Sequence, residues 1–377
     1  MPADSQTAPA SAVTLFVCGD VMTGRGIDQV LPHPGAARIF EEYAHSAKHY
    51  VEAAERVSGG IARRVDFSYI WGDALDELER MRPDARIINL ETAITTSAKP
   101  WPGKGVHYRM HPKNIGCLLA AQVDCCVLAN NHVLDWGHGG LQQTLDSLHA
   151  AGIKTAGAGR DALDASAPAL INLAQGRVLV FAFAHADSGV PDGWAASAEH
   201  SGIELLPDYS EHTIARIAQR IACVKQAGDI ALASIHWGGN WGYAVPQAHR
   251  HFARRLVDTA GVDLVHGHSS HHVKGMEVYR EHLILYGCGD LINDYEGIAD
   301  PGPWRSNLAL LYFPRIERAT GHLQRLAMVP VHRSRLQLQR AGEVDAHWLL
   351  DLLNREGREQ GARFERSSDD QISWICP

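Results

Sequence analysis

Short, continuously apolar runs recur along the chain, and each ends in glycine or a polar residue: VTLFVCGD (13–20), ARIINLE (85–91), VDCCVLANNH (123–132), RVLVFAFAH (177–185), DIALASIHWGG (229–239), VDLVHGHSSHH (262–272) and HLILYGCGD (282–290). Continuous apolarity over five or six residues predicts strands buried on both faces. Between the runs lie segments of helical spacing: 139–151, with Leu141, Leu145 and Leu148 on one face, then 211–227 and 247–260. Strands alternating with helices of this length predict an α/β fold with a largely buried sheet. Residues 30–82 show no clean alternation and read as a helical insertion. LALLYF (308–313) and LQRLAMVPV (323–331) predict returning strands, with a helix at 343–358. The expected organisation is a disordered leader at 1–12, one domain over 13–361 and a tail at 362–377.

Composition narrows the class. The 377 residues are 45% hydrophobic and 21% charged, as in ordinary globular proteins, and the net charge of −8 comes without a basic stripe, which argues against a nucleic-acid partner. The seven cysteines form no CxxC pair and several sit inside apolar runs, so they read as buried reduced thiols. The first residues lack the features of a signal peptide, and no run of about 18 apolar residues occurs. A cytoplasmic protein with no membrane span is expected; the oligomeric state is not legible. No GxSxG elbow, phosphate loop or dinucleotide fingerprint is present.

The one unusual count is histidine, at 22. Ligands of open α/β sheets bind beyond the carboxyl ends of the strands. Five runs end there in metal-capable side chains: Asp20, Glu91, Asn131 with His132, His236, and His268 with His271. Carboxylates, an amide oxygen and imidazoles together suit Zn, Mn or Fe, whereas Ca prefers oxygen alone. One or two such divalent ions are expected. His132, adjacent to Asn131, is the candidate general acid. Gly267 is expected to turn the backbone toward the ion, with His268 and His271 facing inward and His266 and His272 facing away. Asp135 reads as a helix cap, and His138 as an outer partner of the site. Lys104, Tyr108 and Arg109 after the Glu91 loop, with Asn240 and Trp241 after His236, are candidates for holding an anionic substrate. Asp290, Asn293, Asp294 and Glu296 read as a rim loop, with Arg305 as a partner.

GDVM (19–22), NLE (89–91), LANNHVLDWGHGGLQQTL (128–145), GAG (157–159), HWGGNW (236–241), GHSSHH (267–272) and LILYGCGD (283–290) together resemble the CapA family of poly-γ-glutamate biosynthesis proteins, in family order across 13–295. The resemblance implies the fold of calcineurin-like metallophosphatases: a sandwich of two mixed β-sheets flanked by helices, in four layers α/β/β/α. It implies a metal-dependent hydrolase in which metal-bound hydroxide attacks a phosphoester or related ester or amide bond of a small or oligomeric anionic substrate, with Asp20 and His132 as its catalytic pair. Met22 stands where that superfamily has a histidine, Glu91 stands for the bridging aspartate, and GHSSH carries one extra residue. His236, His268 and Asn131 would form one metal position, Asp20 and His271 the other, with Glu91 between them. The family name adds γ-glutamyl amide ligation or hydrolysis as an alternative. Met22 favours a third reading, a non-catalytic accessory protein of capsule or polyglutamate biosynthesis.

Overall fold

The apolar runs build two large mixed sheets. A computed structural model describes residues 12–298, 302–358, 361–367 and 371–376, so the leader expectation falls outside it except for Ala12, which opens the first strand. The first sheet has ten strands. Its path runs Phe364–Arg366, Ile372–Trp374, Leu323–Ser334, Leu308–Glu317, Ala12–Val21, Ala85–Leu90, Cys125–Val127 and Lys154–Ala156; Asp290–Ile292 also pairs with Ala12–Val21, and Gln337–Arg340 with Leu323–Ser334. Its left half is antiparallel, from the C-terminal part of the chain. Its right half is parallel, which orients the ends of Ala12–Val21, Ala85–Leu90 and Cys125–Val127 the same way.

The second sheet has seven strands, with the path Leu205–Leu206, Arg177–His185, Ile230–His236, Leu264–His268, His282–Leu285 and Met276–Tyr279, and Ala169–Asn172 on Arg177–His185. Period-2 alternation sorts its side chains. Leu179, Phe181, Ala231 and Ile235 pack on Ile214, Ile217, Phe252 and Leu256 of the helices Glu211–Val224 and Gln247–Ala260. Val178, Val180, Leu232 and Leu264 belong to the core shared with Leu15 and Val17 of the first sheet.

The run HLILYGCGD is two strands in different sheets: His282–Leu285 ends in the second, and Asp290–Ile292 joins the first. The tail also enters the first sheet, because apolar Phe364, Ile372 and Trp374 find a free edge beside Leu323–Ser334. Within 30–82 the chain holds two longer α-helices, Lys48–Ser58 and Ala74–Met81, and the short 3-10 helix Tyr69–Trp71, among turns and loop. Five of the seven cysteines are buried and unpaired; Cys223 and Cys376 are exposed. Among the described residues no helix is long and apolar enough to cross a membrane.

Candidate metal centre

Register brings the strand ends together. Asp20 stands opposite Asn89 on one side and Asp290 on the other, both in parallel pairing. In the second sheet His236 stands opposite His268. The two sheets meet at this level: His268 Nδ1 lies 3.8 Å from Asp20 Oδ1, and the Ser269 amide donates to Asp20 Oδ2 at 3.2 Å. The approach needs Gly19, where a Cβ would stand 1.7 Å from the Gly289 carbonyl oxygen. The Asp20 amide donates to that same oxygen at 2.9 Å. The turn after Leu264–His268 is made at Ser269, with φ at 101°. Gly267 instead lies within the strand, where a Cβ would meet the Leu285 carbonyl oxygen at 2.5 Å. The expectation of a turn at Gly267 is therefore corrected to a close approach.

Three buried carboxylates face one another. Asn89 donates to Asp20 Oδ1 at 2.7 Å. Burial, then the nearby Asp290, pushes the Asp20 carboxyl up to about 7. Burial and Asp20 push Glu91 well above the usual range. Burial also opposes charge on Asp290, but His271 and Arg333 outweigh it and hold that carboxyl below the ordinary value. His271 Nδ1 lies 3.0 Å from Asp290 Oδ1, and its pKa rises because Asp290 outweighs the effect of burial.

The imidazole side is neutral. His236 and His268 present their Nδ1 atoms to each other at 2.8 Å, and burial holds both well below the usual histidine range. His236 Nε2 lies 4.0 Å from Glu91 Oε1. Asp20, His236 and His268 each offer a donor atom within 4.8 Å of the others, a span one cation can bridge. Among the described residues, Glu91 Oε2, Asn131 Oδ1 and His236 Nε2 are buried without a hydrogen-bond partner. Such atoms cost about 1–3 kcal/mol each if left so. Anionic and neutral acceptors crowded together, three of them unanswered, fit a divalent cation of the Zn, Mn or Fe type.

Beside this cluster His132 Nε2 points toward Glu91 Oε1, at 3.8 Å, while its Nδ1 donates to Asp135 Oδ2 at 2.7 Å. Lys104 donates to the other oxygen of Asp135, and its Nζ lies 3.0 Å from His132 Nδ1. Burial, then Lys104 and Arg25, holds His132 well below the usual range. Burial raises Asp135 to about 6 against the pull of Lys104. The Tyr108 amide donates to Asp135 at 2.6 Å, and the Tyr108 ring packs edge-on against His132, centroids 4.2 Å apart. Asp135 is thus the partner of His132. The helix Gly137–Ala150 follows Trp136, and no side chain caps it.

The remaining expectations divide. Trp241 packs on His271 at 5.2 Å, and the Asn240 carbonyl accepts from the His271 amide at 3.0 Å, so both border the cluster. Arg109 donates to the carbonyls of Ser97 and Ala36 and lies 3.9 Å over Trp136, which engages its guanidinium in the scaffold. His138 bonds to Ser201 and holds that loop. His272 faces a wall of Trp241, Tyr243 and Trp304 rings. His266 faces inward, correcting the expectation, because residues two apart on a strand share a face with each other and here with His268. The expected division between Asp20 with His271 and His236 with His268 is also redrawn, since Asp20 groups with the two histidines and His271 turns to Asp290.

Asp290 itself was legible, since GCGD repeats the strand-end pattern of VCGD, but it read as rim. Asp290, Asn293 and Asp294 are all buried; Asp294 pairs with Arg25, and Arg305 pairs with Asp345.

The sequence profile described as bacterial capsule synthesis protein PGA_cap matches residues 14–295. A probable polyglutamine synthesis accessory protein of Mycobacterium tuberculosis is 46% identical over 365 residues, 96% of either chain. The PGA biosynthesis protein CapA of Bacillus subtilis is 27% identical over 73% of this chain and 62% of its own, and the capsule biosynthesis protein CapA of Bacillus anthracis 22% over 75% and 60%.

Proposed function

The chain belongs to the bacterial capsule synthesis protein family PGA_cap, and from that premise we propose that it is a metal-dependent hydrolase acting on an anionic substrate linked to capsule or polyglutamate metabolism. The observation that carries this reading is the meeting of three buried carboxylates with two buried imidazoles, where Glu91 Oε2, His236 Nε2 and the nearby Asn131 Oδ1 have no hydrogen-bond partner among the described residues. Asp20, Glu91, Asn131, His236 and His268, with His271 and Asp290 adjoining, would hold one or two divalent ions. Such an ion supplies Lewis acidity, lowering the pKa of a coordinated water to about 7 and polarising the bond to be cleaved.

The protein's own part is positioning and proton delivery. Asp135 accepts the Nδ1–H of His132, which leaves Nε2 as a lone pair on the side of Glu91; there it would take a proton from the attacking water and return it to the leaving group. Lys104 steadies Asp135 and places a positive charge beside an incoming anion. The Tyr108 ring fixes the His132 plane. Trp241, 37% exposed, and Asn240 border the entry. A phosphoester or related ester is the leading bond type. A γ-glutamyl amide is the alternative that the relatives' names favour. An accessory role without catalysis is favoured by the name of the mycobacterial relative and by Met22, which is buried as a core residue. The two sheets, sharing one core and with helices on the outer face of the second, support a metallophosphatase-like sandwich of four layers, α/β/β/α.

Elemental analysis of protein purified without chelator tests the reading. One or two equivalents of Mn, Fe or Zn are expected, and His236→Ala should lose them. A bis-aryl phosphodiester and a γ-glutamyl anilide then separate the two chemistries, with His132→Ala losing turnover by about 10²–10⁴-fold while keeping metal. Protein that refuses all three metals would overturn the hydrolase and leave the accessory role.

A further inference from the structure

One pleat below the cluster lies a second row of polar groups that the mechanism has not used. Asp20, His236 and His268 form the upper row. Two residues earlier on each strand stand Cys18, Ser234 and His266. His266 Nε2 lies 2.7 Å from the Cys18 carbonyl oxygen, Ser234 Oγ lies 3.0 Å from His266 Nδ1, and Ser234 Oγ lies 2.8 Å from His268 Nε2. All three side chains are buried.

A carbonyl oxygen has no proton to give, so His266 must carry its proton on Nε2. His266 is fully buried and its two ring nitrogens meet a carbonyl oxygen and a hydroxyl, neither of them an anion that would balance an imidazolium, so the ring is neutral and Nδ1 is a lone pair. The Ser234 hydroxyl has one proton, and Nδ1 of His266 takes it. Oγ is left to accept from His268, which therefore carries its proton on Nε2. The opposite polarity would set two lone pairs against each other across 2.7 Å at Cys18. We propose that Ser234 and His266 are positioning residues that lock His268 in the Nε2–H tautomer, so that its Nδ1 lone pair faces Asp20 and His236 as the ligand atom. The inference rests on the proposed cation site for its purpose, but its geometry does not. Outer partners of ligating histidines fix tautomer and ring orientation in this way, and their loss costs about 10–100-fold in metal affinity.

Long-range ¹H–¹⁵N correlation spectra of the metal-free, ¹⁵N-histidine-labelled protein read the tautomers directly, with signals assigned by their loss in His266→Gln and His268→Gln. Both rings should show Nε2–H. In Ser234→Ala the His266 pattern should persist while His268 shifts toward Nδ1–H. Titration with Co²⁺ alone should show affinity about 10–100-fold weaker for Ser234→Ala. Ser234→Thr, which keeps the hydroxyl, should stay near wild type. A wild-type His268 carrying Nδ1–H, or a Ser234→Ala protein that binds Co²⁺ as tightly as wild type, overturns the proposal. If Ser234→Ala fails to fold, the wild-type spectrum decides. Wild type that binds no Co²⁺ overturns the cation reading, and the spectrum of the metal-free protein still settles the tautomer.

Discussion

Two buried ionic clusters lie within reach of Tyr108, and they are built to opposite ends. In one, Arg25 donates to Glu41 at 2.7 Å, to the Tyr50 hydroxyl at 2.8 Å and through two nitrogens to Asp294, which also accepts from the Gly26 amide at 2.7 Å. Its guanidinium stacks 3.8 Å from the Tyr50 ring centroid and 4.4 Å from that of Tyr108. Burial works against its charge, but Asp294 and its other neighbours hold Arg25 well above its ordinary value. Among the described residues, no buried side-chain atom of Arg25, Glu41 or Asp294 lacks a partner. In the other cluster Asp20, Glu91 and Asp290 converge, His271 lies 3.0 Å from Asp290, and among the described residues Glu91 Oε2 remains open. The difference teaches where the missing positive charge comes from. Arg25 is a cation supplied by the chain, so its cluster is complete on folding. On the proposed reading, a divalent ion completes the Asp20 cluster from outside.

The largest expected effect comes from breaking the closed cluster. Arg25→Ala leaves two buried carboxylates without their counter-charge and should cost about 3–5 kcal/mol in urea unfolding. A loss below about 1 kcal/mol would show that Glu41 and Asp294 find water, and the contrast would fail. Asp20→Asn should act in the opposite sense on the metal-free protein. The Asp20 carboxyl sits at about 7 when folded, above its unfolded value of 3.8, so its contribution is present below pH 3.8 and is lost as pH rises through 7. The variant should therefore gain on the order of 1 kcal/mol over wild type above pH 7, with the gap closing toward pH 4. It should also lose the protection that Mn²⁺ gives wild type against heat. A variant less stable than wild type at pH 8 in chelator would contradict an open, repulsive cluster. The smallest effect is a titration. Asp135 at about 6 accepts the His132 proton only when ionised, so turnover should fall as pH drops through about 6. Asp135→Asn should flatten that limb at a lower rate; an unchanged limb would assign it to another group.

How much of this could be read beforehand depended on whether the signal was local. Strand ends at Asp20, Glu91, Asn131, His236 and His268 announce themselves by an apolar run meeting a polar residue, and the structure brings Asp20, His236 and His268 within reach of one another, with Glu91 beside His236. His266 could have been found from alternation alone, since it must share a face with His268. Asp290 could have been found from its GCGD ending, but its run reads as one strand. The switch between sheets at 286–289 depends on Gly289, with φ at 76°, and on its contact with Gly19. Arg25 gave no signal: a single arginine in a turn looks solvated, and here φ at 46° and partners up to 269 positions away turn it inward. The last strands, Phe364–Arg366 and Ile372–Trp374, were too short to distinguish from a loose tail until an edge was available to them.

What the sequence determined by itself was the alternation of buried strands with amphipathic helices, the edge at which the polar residues gather, and the chemical kinds of side chain gathered there. These follow from periodicities of two and 3.6 residues, which the backbone imposes on any chain. What only the tertiary structure decided was which of those residues touch. Asp20 beside Asp290, His266 on the Cys18 carbonyl 248 positions away, and Asp135 rather than a helix end behind His132 all depend on strand register and on the packing of one sheet against the other. Local sequence carries no record of either, because register and sheet packing are set by the whole apolar core closing at once.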